Sequence, residues 1–582
     1  MSSKPRTYHE LVVVPKRTKD RKTDTPLAQG IADRGGLANQ NYKVSKKLPR
    51  LVSLILYSWA ALLLAISSWY PETLQSSIIA VFSLVLLCVT VRRAAPSYLG
   101  FFCYGFVLSV FSYYWVPDTI TLFGGFPLIV SRGLFSLFSI LSAFQFLFLA
   151  WMLKAGEKFF GQQRVFLLPV AWFVAEQLVP RVFPWKLSYM QIYWSPFSAL
   201  AEIAGAGVLS LLLLFWISSL VSFKELLGRE KLAFLCSLLL LWFGFSLDSR
   251  VAQEIEKASL VKVGVIQGNL DPFQKGDLNE LNENLKIYRG LSESAVRAGA
   301  DFLVWPESVV NSWAPVDIES VAGTRFDPYP EHSAPLLYGG LSFEKRSQEE
   351  HRLVSEGVSS ATIKKRLRYK SYNSAFLLDQ SGRVGGIYHK RVLMPFGEYL
   401  PFRDIWPEVR ELSPMSGDFM PGSAAAAFNV DLPGKDFKVA PLICYEDMVP
   451  SVAREAVRKG AQLLVNMSND AWYGESVAPR QHHLLAMWRA IELRRALVRV
   501  TNTGFTAVVS PRGQTTRTLK DFTEDFMVEE APLLDRQTLF AKLGEVPQLS
   551  LAFFGLVLVI YWRIAPVDNG QRKMLSGQKT GH

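Results

Sequence analysis

Three side chains in this sequence are of the types that covalent acyl chemistry needs: Glu307, Lys390 and Cys444. A thiol can attack a carbonyl carbon, a carboxylate can take the thiol proton, and an ammonium can stabilise the oxyanion that forms. A neighbouring ammonium is also expected to lower the thiol pKa. Each of the three follows an apolar run of strand length. Cys444 ends the run Phe437-Lys438-Val439-Ala440-Pro441-Leu442-Ile443, with Tyr445, Glu446 and Asp447 directly after it. Pro450 then opens a helical stretch, Ser451 to Lys459. Strand, sharp turn and helix is an order that presents a side chain at the carboxyl edge of a sheet. Taken singly, each residue has a plainer reading. A lone cysteine ending an apolar strand is more often a packing residue, and Glu307 or Lys390 alone would pass as a solvated charge. Placement of all three at strand ends is what points to one shared edge.

The elements that must position them begin at Leu260, where short apolar runs start to alternate with polar helical ones. Strands are predicted at Leu260–Gln267, Asp301–Trp305, Ala375–Leu378, Gly385–His389, Val439–Ile443, Leu463–Met467 and Thr506–Ser510, with an amphipathic helix at Leu278–Ala300. This alternation implies an α/β domain with a layered core.

The rest of the chain is of a different kind. Of 582 residues 49% are hydrophobic, and those are concentrated in long blocks. Blocks able to cross about 30 Å of hydrocarbon lie at 51–69, 76–91, 98–117, 130–153, 165–180, 197–223, 231–247 and 547–563. The expected organisation is therefore a basic tail (1–50), a seven-span bundle (51–247), an exported α/β domain (248–546), a last span (547–563) and a cytoplasmic tail (564–582). Loop charges support the count. Arg92 and Arg93, then Lys154, Lys158 and Arg164, then Lys224, Arg229 and Lys231, then Arg563, Arg572 and Lys573 all fall on one side if the spans alternate. Both termini are then cytoplasmic, and an odd number of spans puts 248–546 across the membrane.

Residues 1–50 hold twelve Lys/Arg against four Asp/Glu, which is +8 of the chain's net +12. Such a tail is expected to be disordered, and beside a span it acts as a topology signal and a contact for anionic lipid rather than for nucleic acid. It lacks a signal-peptide layout. Cys88, Cys103 and Cys236 lie in apolar blocks as small packing residues, whereas Cys444 is the one cysteine of the exported domain. It has no disulfide partner there, and an unpaired thiol in an oxidising compartment is a candidate reactive group. Glu176 and Glu202 sit within spans, with Arg181, Phe183-Pro184-Trp185 and Gln191 in the loop between them. A Glu–Arg pair that packs helices and a substrate contact are both open for this cluster. Loops Met394–Trp406, Phe419-Met420-Pro421 and Ala471-Trp472-Tyr473-Gly474 are candidates for gripping lipid, with Phe396, Trp472 and Tyr473 as the side chains of interest. Beside Gly474, Trp472 and Tyr473 are expected to form a lid. No Cys/His ligand spacing, Walker sequence or Rossmann glycine pattern occurs, so neither a metal nor a cofactor is expected.

The set Trp305-Pro306-Glu307, Tyr388-His389-Lys390 and Cys444-Tyr445-Glu446 resembles the Glu-Lys-Cys constellation of the nitrilase superfamily. The surroundings are narrower. Tyr372-Asn373-Ser374-Ala375, Met394-Pro395-Phe396-Gly397-Glu398-Tyr399-Leu400-Pro401, Asn466-Met467-Ser468-Asn469-Asp470-Ala471-Trp472, Arg489-Ala490-Ile491-Glu492 and Asn502-Thr503-Gly504 resemble the bacterial apolipoprotein N-acyltransferase family. The likeness covers most of residues 51–563, including Phe183-Pro184-Trp185 and the seven-plus-one span layout.

The resemblance implies an αββα nitrilase-like sandwich on a membrane bundle, in the bacterial inner membrane with the sandwich on the periplasmic side. It implies transfer of an acyl chain from a phospholipid donor to the amino group of a diacylglyceryl-cysteine apolipoprotein, through a thioester, by a monomer that binds no nucleic acid. By position Cys444 resembles the nucleophile, Glu307 the general base and Lys390 the oxyanion stabiliser. Glu398 matches a second, assisting acid, and Tyr445 and Glu446 match supporting residues beside the nucleophile. A thioester that must outlast water calls for a pocket that excludes solvent. Two stretches depart from the family pattern. Gly276 stands where the family usually has a tryptophan, leaving Phe273 as the candidate for its place, and Phe343–Tyr369 is longer than usual, charged and helical. The alternative function is a membrane-tethered carbon-nitrogen hydrolase of amidase or nitrilase type, with water as acceptor, although eight spans exceed what an anchor needs. A scaffold or transporter would not be expected to carry Glu307, Lys390 and Cys444 together.

Overall fold

The apolar blocks fold as helices packed into a bundle whose two ends differ chemically. The structure is a computed structural model that describes residues 48–565, apart from 72, 227, 272–280 and 409–416. Most of the basic tail, the C-terminal tail, Phe273 and Gly276 therefore lie outside the described residues. Among these residues, six helices are long and apolar enough to cross a membrane: Arg50–Ser67, Leu74–Arg93, Leu128–Glu157, Ala201–Val221, Glu230–Glu256 and Val546–Ile564. Tyr98–Ser112 with Val116–Leu122, bent by 53°, makes a seventh if counted as one span.

The span expected at 165–180 is absent from that set. Its α-helix, Leu168–Leu178, has only 11 residues and begins beside Pro169, after a 3-10 stretch at Gly161–Phe166. A 3-10 helix rises more steeply than an α-helix, so the combined run still reaches roughly 28 Å. Its flanks touch opposite ends of the bundle. At one end Arg164 Nε donates to the Val91 carbonyl at 2.8 Å, where Arg92 also donates to Val221 O and Phe160 meets Trp562. At the other, Val182 O accepts a hydrogen bond from the Tyr445 hydroxyl of the α/β domain. The run thus crosses the bundle without being a long helix, and Arg92 and Arg164 sit at the end remote from the α/β domain.

That domain is two stacked sheets. In the first, β1 (Ser259–Gln267), β2 (Phe302–Val304) and β4 (Leu336–Lys345) run parallel at its centre. β13 (Asp525–Leu533) pairs antiparallel with β1, β5 (Tyr369–Leu378) with β4 and β6 (Val384–His389) with β5, while β3 (Val310–Pro315) joins β4. In the second, β8 (Lys435–Ile443), β9 (Leu463–Ser468) and β10 (Ala496–Thr501) are parallel, flanked by β7 (Phe428–Leu432), β11 (Ala507–Val509) and β12 (Thr515–Thr518). Alternate residues such as Val261, Val263 and Val265 meet Val439, Val465 and Val498 in the core between the sheets. The helix Leu281–Arg297 covers the outer face of the first sheet. The helices Pro450–Arg458 and Ala478–Leu493 cover the second and share one continuous core with the membrane helices. The architecture is an αββα sandwich whose second helical layer rests on the bundle.

Buried ion pairs fix that junction. Glu202, at the start of its span, pairs with Arg494 at 2.6 Å and Arg536 at 3.1 Å, so its partners come from the sandwich and not from Arg181. Glu492 Oε1 accepts from Ala206 N at 3.0 Å, beside the break in Ala201–Val221 at Gly205 (φ 72°). A Cβ at Gly205 would lie 2.2 Å from Gln548 and 2.5 Å from Phe540, so the kink needs glycine on two counts. The 343–369 stretch forms two short helices, Gln348–Ser355 and Ala361–Arg366, over their own small core of Val358, Ile363 and Leu367.

Candidate active site

Glu307 follows β2, Lys390 follows β6 and Cys444 follows β8, so strands from both sheets deliver one site. Lys390 is almost fully buried, with Nζ 2.7 Å from Glu398 Oε2 and 3.6 Å from Glu307 Oε1. Asn373 Nδ2, on β5, donates to both carboxylates, at 2.7 Å to Glu307 and 2.9 Å to Glu398. Asn469 N closes on the other Glu307 oxygen at 3.1 Å, and Met394 N donates to Glu398 at 2.8 Å. Burial disfavours the Lys390 ammonium, but the carboxylates of Glu398 and Glu307 outweigh it and hold the pKa well above the usual lysine value.

Cys444 has φ 49°, in the left-handed region that a residue with a Cβ rarely occupies. Two bonds hold the turn. Asn466 Nδ2 donates to the Cys444 carbonyl at 3.0 Å, and Glu446 Oε2 accepts from Ile443 N at 2.8 Å. Glu446 is fully buried, and its other oxygen accepts from Tyr388 OH, Arg391 N and Val392 N at 2.8, 2.6 and 3.2 Å. One carboxylate thereby ties the Cys444 turn to the Lys390 loop. Tyr445 reaches the other way, to Val182 of the bundle.

Lys390 does lower the thiol pKa, as expected, but the net shift is upward. Burial raises the Cys444 pKa, Glu307 raises it further, and the opposing effects of Lys390 and a hydrogen bond to Ser468 do not restore it. Two carboxylates face one ammonium, so a thiolate would be a further negative charge in a site that already has a net one. The resting sulfur is therefore held as a thiol.

Beneath the turn lies a buried charge network that the motifs gave no reason to assign. Arg499 on β10 contacts Asp447 at 2.9 Å, Asp470 at 2.9 Å and Asn466 Oδ1 at 2.6 Å. His482 Nε2 lies 2.7 Å from Asp447 and its Nδ1 3.0 Å from Arg499. The one available signal was a polar residue inside each of two otherwise apolar parallel strands, Asn466 and Arg499, which are register neighbours.

Of the lipid-gripping candidates, Phe396 is 68% exposed and in a left-handed conformation (φ 66°). Trp472 is partly buried. Tyr473 packs edge-on against Trp115 of the bundle at 5.1 Å, so in this conformation it is an interface side chain. Among the described residues no group of three or more His, Cys, Asp or Glu is arranged to hold a metal ion.

Residues 262–538 match the family described as carbon-nitrogen hydrolase, and residues 60–220 the apolipoprotein N-acyltransferase N-terminal domain. The apolipoprotein N-acyltransferase of Geobacter metallireducens is 32% identical over 76% of this chain and 83% of its own. That of Shewanella oneidensis is 30% identical over 79% of this chain and 85% of its own. An amidase from Nesterenkonia sp. is 17% identical over 50% of this chain and 96% of its own, with a TM-score of 0.31, too low to bear on the argument.

Proposed function

The chain belongs to the apolipoprotein N-acyltransferase family, and from that premise we propose that it moves an acyl chain from a membrane phospholipid, through a thioester on Cys444, to the amino group of a diacylglyceryl-cysteine apolipoprotein. It is a multi-pass membrane N-acyltransferase. The observation that carries the residue assignment is the Glu307–Lys390–Glu398 cluster with Cys444 in its field.

In the first half-reaction Cys444 Sγ attacks the ester carbonyl carbon while Glu307 takes the thiol proton. Lys390 donates to the developing oxyanion, held as an ammonium by Glu398. The ester C–O bond breaks, Glu307 returns the proton to the glycerol oxygen, and lysophospholipid leaves. In the second half-reaction the apolipoprotein amine attacks the thioester, Glu307 takes the amine proton, and the sulfur departs and is reprotonated. Glu446 and Tyr445 position the turn and act on no substrate atom. One chain supplies every group, in keeping with action as a monomer.

The sandwich rests on the end of the bundle opposite Arg92 and Arg164. With positive residues inside, that arrangement supports a periplasmic active site on a bacterial inner membrane. Incubation with phospholipid alone, followed by intact-mass and peptide analysis, tests the reading: an acyl-sized increment on Cys444 is expected. Release of free fatty acid without transfer to a lipopeptide amine would favour the carbon-nitrogen hydrolase alternative.

A further inference from the structure

β8 and β9 run parallel, and their last paired residues are Ile443 and Met467, so Ser468 stands beside Cys444 where both strands end. Ser468 is fully buried, and its side chain is hydrogen-bonded to that of Cys444. On its other side Ser468 Oγ donates to Asp470 Oδ1 at 2.8 Å. A hydroxyl has one proton and two lone pairs. With the proton given to Asp470, Ser468 can only accept from the Cys444 thiol. With the proton turned to the sulfur, Ser468 becomes a donor to a thiolate.

Asp470 tolerates that turn because it does not depend on Ser468. Arg499 contacts both of its oxygens, at 3.2 and 2.9 Å. Burial disfavours the Asp470 carboxylate, but Arg499 and His482 outweigh it and hold its pKa below the usual carboxylate range. Gly504 backs it closely: a Cβ there would lie 2.3 Å from Asp470 Cβ. The acceptor thus stays ionised and in place whichever way the Ser468 proton points.

The two half-reactions load the sulfur differently. During attack Sγ gives an electron pair to the carbonyl carbon as Glu307 takes the proton, and charge collects on the oxygen that Lys390 faces. During aminolysis the C–S bond breaks with its electron pair going to Sγ, so charge collects on the sulfur until a proton arrives. Burial disfavours a thiolate at this position. A donor to the sulfur is therefore worth most in the second step, where its bond is made only as the transition state forms.

We propose that Ser468 is a catalytic residue of the second half-reaction: its hydroxyl turns from Asp470 to Cys444 Sγ as the thioester C–S bond breaks, donates a hydrogen bond to the departing sulfur, and turns back once Glu307 has passed the amine proton to Sγ. This rests on the thioester reading above. Ser468 makes and breaks no covalent bond, and the proton that restores the thiol is the one Glu307 took from the amine. A mere prop for Asp470 would behave otherwise. Its loss would loosen the Asp470–Arg499 network beneath the turn and slow both half-reactions alike.

The test uses the full-length protein and single-turnover kinetics of each half-reaction, with vesicles of diacyl phosphatidylglycerol as donor and a diacylglyceryl-cysteine lipopeptide as acceptor. In Ser468→Ala, transfer from the loaded thioester to the lipopeptide amine should slow about ten- to a hundredfold, the worth of a hydrogen bond to a charged group. Thioester formation should slow by far less. Ser468→Thr, which keeps a hydroxyl, should recover most of the transfer rate. Alkylation of the resting Cys444 by iodoacetamide reads the same donor in the absence of lipid. Its rise with pH should move to higher pH in Ser468→Ala, because the hydroxyl that favours the thiolate is gone. Equal slowing of both half-reactions overturns the proposal in favour of a prop. So does a wild-type transfer rate in Ser468→Ala, an unmoved alkylation profile, or a Ser468→Thr variant that forms thioester normally yet transfers no faster than Ser468→Ala. Failure of the wild type to form any thioester would instead defeat the reading on which the proposal rests.

Discussion

Lys390 Nζ stands 2.7 Å from Glu398 Oε2, closer than its 3.6 Å approach to Glu307. Glu398, eight positions on, and not Glu307, is thus the main counter-charge of the buried ammonium. Burial alone would drive a lysine toward its neutral form, and Glu398 is the largest influence opposing that.

The first prediction follows from this pair. In Glu398→Gln the raising influence is lost while the burial penalty remains, so the Lys390 pKa falls. Because the ammonium is the active form, the alkaline limb of the pH profile for thioester formation should move to lower pH. The rate at neutral pH should drop by about 10²-fold or more. An alkaline limb unmoved in the variant would show that Glu398 does not hold the charge.

Glu307 has opposite effects on thiol acidity and on catalysis. Its carboxylate raises the Cys444 pKa, so Glu307→Gln should lower that pKa and speed alkylation by iodoacetamide at a fixed pH. Acyl transfer should nevertheless fall by about 10²–10⁴-fold for want of the base. If alkylation and transfer fall together, the variant has disturbed the site's geometry, and Glu307 is not acting as a base on a preserved thiol.

Glu446 should matter through position. Its two oxygens receive three backbone N–H groups and the Tyr388 hydroxyl. An amide cannot accept at both ends, so Glu446→Gln should lose about 3 kcal/mol of stability, read as a lower thermal midpoint in detergent. Tyr388→Phe removes one donor and should cost about 1 kcal/mol.

His482 gives the sandwich a pH-dependent stability. Burial and Arg499 lower its pKa, but Asp447 and Asp470 prevail and hold it above the usual histidine value. A group whose pKa is raised on folding stabilises fully below its unfolded pKa, and that contribution is lost as pH rises through the folded value. Thermal stability should therefore decline as pH climbs above the ordinary histidine range, and His482→Gln should flatten that slope. Arg499→Leu, which strands two buried carboxylates, should cost about 3–5 kcal/mol.

Much of the molecule was legible because local pattern carries it. Hydropathy blocks gave the bundle, and strand-length runs ending at Glu307, Lys390 and Cys444 gave the edge on which they meet, since side-chain periodicity and turn chemistry are short-range properties. The strand predicted at Ala375–Leu378 proved to be the end of a longer one, Tyr369–Leu378. It also holds the buried Asn373, satisfied by Glu307 and Glu398, and the buried Ser374, satisfied by Ser342 and His389, partners remote in the chain. The span expected at 165–180 is not among the long apolar helices: that stretch is a 3-10 and α-helical composite, with Pro169 in the first turn of its α-helix and Arg164 bonded to Val91.

What the sequence determined by itself is the inventory: a thiol, an ammonium and a carboxylate that each follow an apolar strand, with a second carboxylate in the loop after Lys390, in a chain with enough hydrophobic length to sit in a membrane. What only the tertiary structure decided is the balance among them. Which carboxylate faces Lys390, whether the thiol loses its proton, and that Arg499 underlies the turn all depend on distances between residues far apart in the chain. Electrostatic effects fall off with separation and rise steeply with burial, and neither quantity is written in residue order.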